Sequence, residues 1–498
     1  MDGIHPLETI LNPRGIVYFG ANNNVLTMGT TQLLNIIGAG FPGEIYPVHP
    51  KLETVLGMKA YPSLDVIPAS ARIDLAFIVI AGKHVPGIID ECGKRGITHA
   101  VIISAGFREM DNTGLNRQLL EAAAKHGTKF IGPNCIGFYN RHLIWVDEQE
   151  HDTKAINTTW IPINPRSGGT SIASQSGTFA CHIFLESEKI GMGFSKTISV
   201  GNEATLDLVD CLEFLEQDPR TTVIGLYIEE IKRGRRFLEV AARVARKKPI
   251  VAVYVGGTGA GARGVKSHTG SLGGNDKIFD AACKQVGIIR AWNMEELLDY
   301  CHALDRCPIP KGNNLCIFTN AGGPGVNMGD LAERMGLSVP EFSPDLQEAL
   351  RKKIKASTAQ VRNIVDLTFD VDLEGLYRTL PRIIMKSREI DGMLVYGLFG
   401  WSFFKLINEL APSLPVPLDD IKALMEPLLK VYASLPRKFG VPIIAVSIMG
   451  RDEEAIAQLM DHGLPVYPMP NRAVKAYWAL DQYRRVLDRA AARDAVTG

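Results

Sequence analysis

The chain has 498 residues, 46% of them hydrophobic and 22% charged, enough to bury several cores and too long for one ordinary domain. Lysine plus arginine and aspartate plus glutamate both total 54, so no bulk charge draws it to nucleic acid or to an anionic membrane surface, and small molecules or protein partners are the expected ligands. Eight cysteines without a C-x-x-C pair fit reduced intracellular usage rather than a disulfide framework or a zinc site, and with no leader-like start and no apolar run near the roughly 18 residues of a membrane span, a metal-free, soluble, cytoplasmic protein is expected.

Strand-like runs recur along the whole chain, each followed by a turn and a segment of helical period. GIVYFG, EIYPVHP, LAFIVIA, THAVIISAG and KFIGPN come first and predict buried parallel strands of a doubly wound sheet. The first of them leads into GANNNVLTMG, Gly20 to Gly29, a phosphate-type loop that lacks the G-x-G-x-x-G spacing. The second ends in YPVHPK, where a dehydrogenase would place an acid for the ribose, so NAD is disfavoured. Lys51 there is either a point charge for a phosphate-rich nucleotide or a solvated surface lysine.

The polar stretch from His142 to Gly168 predicts a domain boundary. A second series follows with TSIAS, FSKTISVG, VIGLYIEE and PIVAVYVG, closing in a helix near Met294–Leu304. After CPIPKGNN a third series runs through LCIFTN, IVDLT, GMLVYGLF, PIIAVSIM and LPVYPM. The expectation is α/β, in three domains over residues 1–145, 165–308 and 309–486, with a tail over 487–498.

The second and third series open alike. TSIASQSGT and LCIFTNAGGPG each run a strand into a small-residue turn and then a helix, a geometry that presents backbone N–H groups and a favourable dipole to an anion. One such turn is explained by tight chain reversal alone, whereas two matching turns point to a shared phosphate.

Between them lies GGTGAGARG followed by KSHTGSLGG. The run from Gly259 to Ser267 misses the Walker pattern by a valine inserted between Gly264 and Lys266. His268 is flanked by glycines, in what reads as an exposed, flexible loop rather than a packed element. Neutral imidazole is a good nucleophile near pH 7 and accepts a phosphoryl group on one nitrogen when the other is oriented by a carboxylate. Glu229 and Glu230, at the carboxyl end of VIGLYIEE, are the candidates for that partner.

These motifs in this order resemble the α subunit, or α-type half, of the NDP-forming acyl-CoA synthetases, relatives of succinyl-CoA synthetase. The resemblance runs from about Pro6 to Val486 and is carried by NPRGIVYFGA, GEIYPVHPK, ISAGFRE and GPNCIG, then SQSGT, SVGNEA, LYIEEIKRGRRF and SHTGSLGG, then TNAGGPG and NIVDLT. It implies an N-terminal Rossmann-like CoA-binding domain followed by two flavodoxin-like doubly wound parallel-sheet domains. It implies further that His268 is a phosphohistidine on a swinging loop, steadied by Glu229 with Glu230 as second choice. Gln175, Ser176 and Gly177 and the turn Gly322–Gly323 would bind phosphate. Gly20, Asn22, Val48, Lys51, Ser104 and Asn134 would bind coenzyme A, and Gly201 and Asn202 would adjoin the acid.

The implied activity interconverts acyl-CoA, NDP and phosphate with carboxylic acid, CoA and NTP through acyl phosphate. The ATP-grasp domain such enzymes need, with its ATP/ADP or GTP/GDP and Mg, is missing, so a separate β subunit in a hetero-oligomer built on a dimer is expected. The alternatives are a CoA-dependent acyltransferase or lyase of the same superfamily and a non-catalytic acyl-CoA-binding protein, the last disfavoured by His268 and the two turns. The sequence departs from the family at Ile364, where proline is usual, and at Asn22-Asn23-Asn24 in the first loop.

Overall fold

A computed structural model describes residues 4–269, 273–354, 356–368, 372–398 and 400–497, and of 266–269, 496 and 497 the backbone alone. The chain divides into two compact units, Met1–Glu186 with Gly193–Met294, and Ser187–Met192 with Glu295–Gly498.

The first unit contains two large sheets. Strands β1 (Gly15–Phe19), β2 (Glu44–Val48), β5 (Leu75–Ile78), β6 (His99–Ile102) and β7 (Lys129–Ile131) form a parallel sheet in the order β2-β1-β5-β6-β7, with β3 (Thr54–Val55) and β4 (Met58–Lys59) as a side hairpin. Residues Leu75 to Ile78 are buried on both faces, which is why this strand reads as an unbroken apolar run. Ile78, Ala100, Ile102 and Phe130 pack on Val85 and Ile89 of one covering helix and Leu119 and Ala123 of another. Because β1 is followed in the sheet by β2 on one side and by β5 on the other, a crevice forms at their carboxyl ends.

The second sheet holds β8 (Phe138–Asn140), β9 (Ile156–Asn157), β10 (Ser167–Ser174), β11 (Phe194–Ser199), β12 (Val223–Ile228), β13 (Ile250–Tyr254) and β14 (Ile288–Ala291), ordered β14-β13-β12-β10-β11-β8-β9. Strands β10 to β14 are parallel, whereas β8 runs antiparallel to β11 and β9 antiparallel to β8. The first boundary therefore needs correction. Residues 138–140 lie inside the expected 1–145 segment yet belong to the second sheet, and the polar stretch after them supplies β9. These short strands are held by side chains: Asn140 donates to the carbonyl of Leu11 at 2.9 Å, and the Thr158 hydroxyl donates to the Phe138 carbonyl at 2.9 Å.

The second unit is built on β15 (Leu315–Thr319), β16 (Gln360–Val361), β17 (Val365–Asp366), β18 (Gly392–Tyr396), β19 (Ile443–Val446) and β20 (Val466–Tyr467), in the order β16-β17-β15-β18-β19-β20. All are parallel except β16 at the edge. Asn363 ties the edge in, accepting from the Ile317 N–H at 3.1 Å and donating to the Leu315 and Pro340 carbonyls. The peptide from Asn363 to Ile364 is cis, and the Ile364 side chain packs where Cβ atoms at Gly325 and Gly329 would stand 3.3 and 3.1 Å away. The expected tail over 487–498 is also corrected: one helix runs from Pro470 to Thr497, because Ala476, Tyr477 and Leu480 bury its first half and nothing breaks the helix afterwards.

Candidate active site at the carboxyl ends of the strands

The crevice of the first sheet is a cleft of about 470 Å³ lined by Gly20, Asn22 and Val48 among others, three of the six residues expected to hold coenzyme A. Lys51 is exposed beyond it and is not part of its lining, with its N–H donated to Nδ1 of His49 at 3.2 Å. Gly20 has φ +106° and an added Cβ would stand 2.0 Å from the Val79 carbonyl oxygen, so only glycine turns here. The asparagine run that departs from the family pattern has a structural task. Asn22 accepts from the Asn24 N–H at 2.6 Å, and Asn23 bridges to the hairpin, accepting from the Leu56 N–H at 2.8 Å and donating to the Thr54 carbonyl at 3.0 Å. A loop built from such Asx turns leaves backbone, not side chains, to meet a phosphate.

The other expected CoA residues, Ser104 and Asn134, lie outside that cleft, further along the same sheet edge. Ser104 is buried, its hydroxyl accepting from the Ile80 N–H at 3.2 Å and its carbonyl from the Asn134 N–H at 3.0 Å. Asn134 has φ +56° and donates to the side chain of Asn202 at 3.3 Å. Two turns interlock here: Asn202 donates its N–H to the Pro133 carbonyl at 2.9 Å, and Ala204 to Gly132 at 3.1 Å. Gly201 makes this possible, since its φ is +54° and a Cβ would stand 2.4 Å from the Pro133 oxygen. The Asn202 amide is also held by Glu109, whose other oxygen accepts from the Gly106 and Phe107 N–H groups. Asn202 is thus a fixed polar element rather than a free contact for an acid.

At the end of β12 the two adjacent acids part company. Glu229 is buried, 2% exposed, while Glu230 turns to Arg108, its carboxylate accepting from Nη2 at 2.9 Å. Gln175 secures both: its Oε1 accepts from the N–H of Glu229 and, at 3.0 Å, from that of Glu230, and its Nε2 donates to the Glu230 carbonyl at 2.7 Å. The expectation of Gln175 as a phosphate contact is corrected accordingly, because its carboxamide is spent on the protein. Ser176 donates its N–H to the Ser174 hydroxyl at 3.1 Å, and the hydroxyl donates to the Ser176 carbonyl at 2.7 Å. The helix Gly177–Lys189 starts directly after, so Gly177 lies at its dipole-positive end.

The same construction recurs in the second unit. Ala321 donates its N–H to the Thr319 hydroxyl at 3.0 Å, that hydroxyl donates to the Ala321 carbonyl at 2.7 Å, and the helix Gly322–Arg334 begins at once. Even the residue between matches: Gln175 and Asn320 donate their N–H groups to the carbonyls of Tyr227 and Tyr396, each at the end of the neighbouring parallel strand. Gly322 and Gly323 accordingly occupy the first turn of a helix, as Gly177 does.

The segment expected to be a flexible loop is a helix over Gly259–Thr269. Thr258 accepts from the Gly261 N–H at 3.1 Å at its start, and Val265 is buried. Two of the glycines serve close approach: a Cβ at Gly273 would stand 2.5 Å from the Gly256 oxygen and 2.7 Å from the Ala262 Cβ, and one at Gly261 3.0 Å from the Gly256 nitrogen, whereas Gly264 faces open space. His268 lies on this helix; its side chain is outside the described residues, as are Gly270–Leu272. The helix packs against the turn Arg108–Met110, which carries the guanidinium that pairs with Glu230.

Sequence reasoning passed over three residues of this neighbourhood: Arg108, Glu203 and Lys232. Lys232 donates to the carbonyls of Asn202 and Glu203 at 2.6 and 2.9 Å and stands 3.8 Å from the Glu203 carboxylate. Burial pushes the Glu203 carboxyl up from 4.5 to about 7, with Lys232 opposing only in part. The signal available beforehand was a single acid between glycine-turn residues in SVGNEA. Since the folded state prefers this acid neutral, its contribution favours folding below pH 4.5, declines as pH rises through about 7 and is unfavourable above that. Glu203→Gln is expected to remove that decline, raising stability at pH 8 relative to wild type by on the order of 3 kcal/mol while leaving pH 4.5 nearly unchanged. Paired melting curves at the two pH values check this; equal shifts at both would show that the carboxyl is not the titrating group.

Among the described residues there is no cluster of three or more metal-ligating side chains, and no helix is long and apolar enough to cross a membrane. Residues 14–141 match the CoA binding domain family, and residues 167–304 match the succinyl-CoA ligase like flavodoxin domain. The chain is 35% identical over 481 residues to the α subunit of acetate–CoA ligase [ADP-forming] II of Pyrococcus furiosus, covering 96% of this chain and 97% of that one. It is 34% identical to acetate–CoA ligase [ADP-forming] I of Archaeoglobus fulgidus, covering 96% of this chain but 64% of that longer protein. Among solved structures, the dinucleotide forming acetyl-coenzyme A synthetase 1 of Ca. Korarchaeum cryptofilum, in complex with phosphate and ADP, superposes with a TM-score of 0.81 at 30% identity, over 98% of this chain and 99% of that one. A CoA-type crevice, two hydroxyl-bracketed turns feeding helix starts and this end-to-end correspondence have one common explanation: the chain belongs to the ADP-forming acyl-CoA synthetase family, as a member of its α-subunit type.

Proposed function

We propose that the chain is the α subunit of an ADP-forming acid–CoA ligase and that it carries the acyl-transfer half of the reaction. Phosphate attacks the thioester carbonyl of acyl-CoA, the C–S bond breaks, and the thiol leaves with a proton, giving acyl phosphate. A ring nitrogen of His268 then attacks phosphorus and the carboxylate departs. The phosphohistidine finally yields its phosphoryl group to ADP, held with Mg by an ATP-grasp β subunit in a hetero-oligomer built on a dimer. The Archaeoglobus enzyme, of which this chain covers 64%, supports a fused equivalent of that partner in the part left uncovered.

The observation that carries this reading is the pair of identically built turns, Ser174–Gly177 and Thr319–Gly322, each ending in a helix start whose N–H groups and dipole suit a phosphate. Such donors stabilise charge on a moving phosphoryl group without reorganising. Gln175 fixes the backbone of both acids, and Glu229 suits the orienting role better than Glu230 because it is buried, whereas Glu230 already neutralises Arg108. Gly20, Asn22 and Val48 fit coenzyme A, since their crevice combines an apolar wall with glycine-turn backbone, and Lys51 stands exposed for its outlying phosphates.

Incubation with acyl-CoA and radiolabelled phosphate tests the proposal. The expected result is an acid-labile label on this chain that ADP and the β subunit discharge as ATP. Failure to label in the presence of a competent β subunit would reject it.

A further inference from the structure

His49 directly follows β2 and lines the crevice of the first sheet beside Val48 and Pro50, yet it is not one of the six residues expected to hold coenzyme A. Its half-buried ring is pinned. Nδ1 accepts from the Lys51 N–H at 3.2 Å and from the Leu52 N–H at 3.0 Å, while the backbone N–H of His49 donates to the Tyr61 carbonyl at 2.9 Å. Pro50 has no N–H, so the next two amides of the chain are the ones that turn to the ring. The arrangement is that of an Asx turn with an imidazole in place of the carboxamide.

A ring nitrogen that accepts carries no hydrogen, so the neutral imidazole here holds its hydrogen on Nε2. Among the described residues nothing accepts from Nε2. The end of the second strand is where doubly wound dinucleotide sites read the ribose, with an acid for bare hydroxyls and a cation for a phosphate. The pyrophosphate belongs instead to the turn after β1 and the start of the helix Met28–Gly38. In coenzyme A the ribose bears a 3′-phosphate. Lys51, exposed in the same turn, brings positive charge to that side. Glu91, the one carboxylate among the described lining residues, stands on the helix after β5, and β1 lies between β2 and β5, so the two sides are about two strand spacings, roughly 10 Å, apart.

We propose that His49 is a specificity-determining residue of this crevice, donating from Nε2 to an oxygen of the 3′-phosphate of coenzyme A and so telling the cofactor from its 3′-dephospho form. The proposal rests on the reading of the crevice as the coenzyme A site. Because the turn fixes the ring before the ligand arrives, binding orders no side chain at this contact. Lys51 supplies charge on a flexible stem, whereas His49 supplies a donor at a fixed place. A bare 3′-hydroxyl can also accept from Nε2, but a hydrogen bond to an ionised oxygen is about twice as strong, and that difference is what the residue reads.

The test is calorimetric titration of the full chain with coenzyme A and with 3′-dephospho-coenzyme A, repeated for His49→Asn and for His84→Trp. Asparagine keeps the turn, because its side-chain oxygen takes the place of Nδ1 and accepts the Lys51 and Leu52 N–H groups, while its amide ends one bond short of Nε2. Its melting curve is therefore expected to match that of wild type. His84 is exposed and lines the crevice from the β5 side, so tryptophan there fills the crevice without touching the turn. Wild type is expected to bind coenzyme A at least thirtyfold more tightly than the dephospho form, and His49→Asn to lose about tenfold for coenzyme A but less than threefold for the dephospho form. His84→Trp is expected to weaken both forms alike, by at least tenfold. Equal affinity of wild type for the two forms, or a loss in His49→Asn that is equal for both or absent, would overturn the proposal while the effect of His84→Trp keeps the crevice as the coenzyme A site. Undiminished binding of both forms by His84→Trp would reject the crevice itself, and the proposal with it.

Discussion

His268→Ala, assembled with its nucleotide-binding partner, is expected to lose about a thousandfold or more of acid-dependent turnover while CoA affinity stays within a few-fold. In the proposed reaction the imidazole is the group through which phosphorus passes, and the cysteines offer no substitute for it: all eight are buried, and burial pushes up the pKa of every one of them. The crevice with Gly20, Asn22 and Val48 is built from β1, β2 and β5 and their loops, so removing a side chain on the helix Gly259–Thr269 leaves that crevice intact. Turnover and CoA titration measured on the same preparation separate the two effects. A parallel loss of CoA binding would show that the histidine supports the cofactor site and does not act on phosphorus alone.

Lys196→Ala is expected to destabilise the first unit by about 3–5 kcal/mol, a fall of roughly 10 °C in its melting transition. Lys196 lies in β11 with its side chain 2% exposed, 2.7 Å from the carboxylate of Asp218, itself 7% exposed. Among the described residues, truncating the lysine leaves a buried carboxylate with the Thr221 hydroxyl and the Arg220 N–H as its remaining hydrogen-bond donors. Burial alone would raise the Asp218 carboxyl, but Lys196 and Thr221 outweigh it and hold the group below its ordinary 3.8. A depressed carboxyl contributes its stability above its unfolded pKa, so the deficit of Lys196→Ala is expected in full at neutral pH and to fade as pH falls below 3.8. Replacing both partners, as in Lys196→Met with Asp218→Leu, is expected to recover most of the loss, since well-packed apolar residues avoid the desolvation cost. Chemical denaturation of the single and double variants decides the matter, and an unchanged Lys196→Ala midpoint would mean that water reaches Asp218.

Some of this architecture is legible from local pattern. LAFI and IVAV read as strands because both of their faces are buried, which leaves an apolar run no polar residue interrupts. SQSGT and NAGGPG read as anion turns because small residues after a strand have few other uses, and the structure shows the same hydroxyl bracket in each. The strands at Phe138–Asn140 and Ile156–Asn157 escape notice since three and two residues carry no period, and partners such as Leu11 and Gln32 lie more than a hundred residues away. The run from Gly259 onward looks like a loop on glycine content, and becomes a helix because Val265 is buried and Gly261 lets it settle against Gly256.

The choice between Glu229 and Glu230 shows where the sequence stops. By itself it determined that two acids end a buried strand ahead of a glycine-rich segment with a histidine, and hence that phosphoryl chemistry was in question. Neighbouring residues on a strand point to opposite faces, but which face holds the interior depends on what packs there. Only the tertiary structure decided that Glu229 goes inside and that Glu230 meets Arg108, 122 positions away in the chain. Likewise it alone placed Leu398, Phe403, Leu406, Val446, Ile448 and Met449, from two strand ends and one helix, around a single cavity of the second unit, because hydrophobic contact is non-directional and leaves no spacing in the sequence by which to read it.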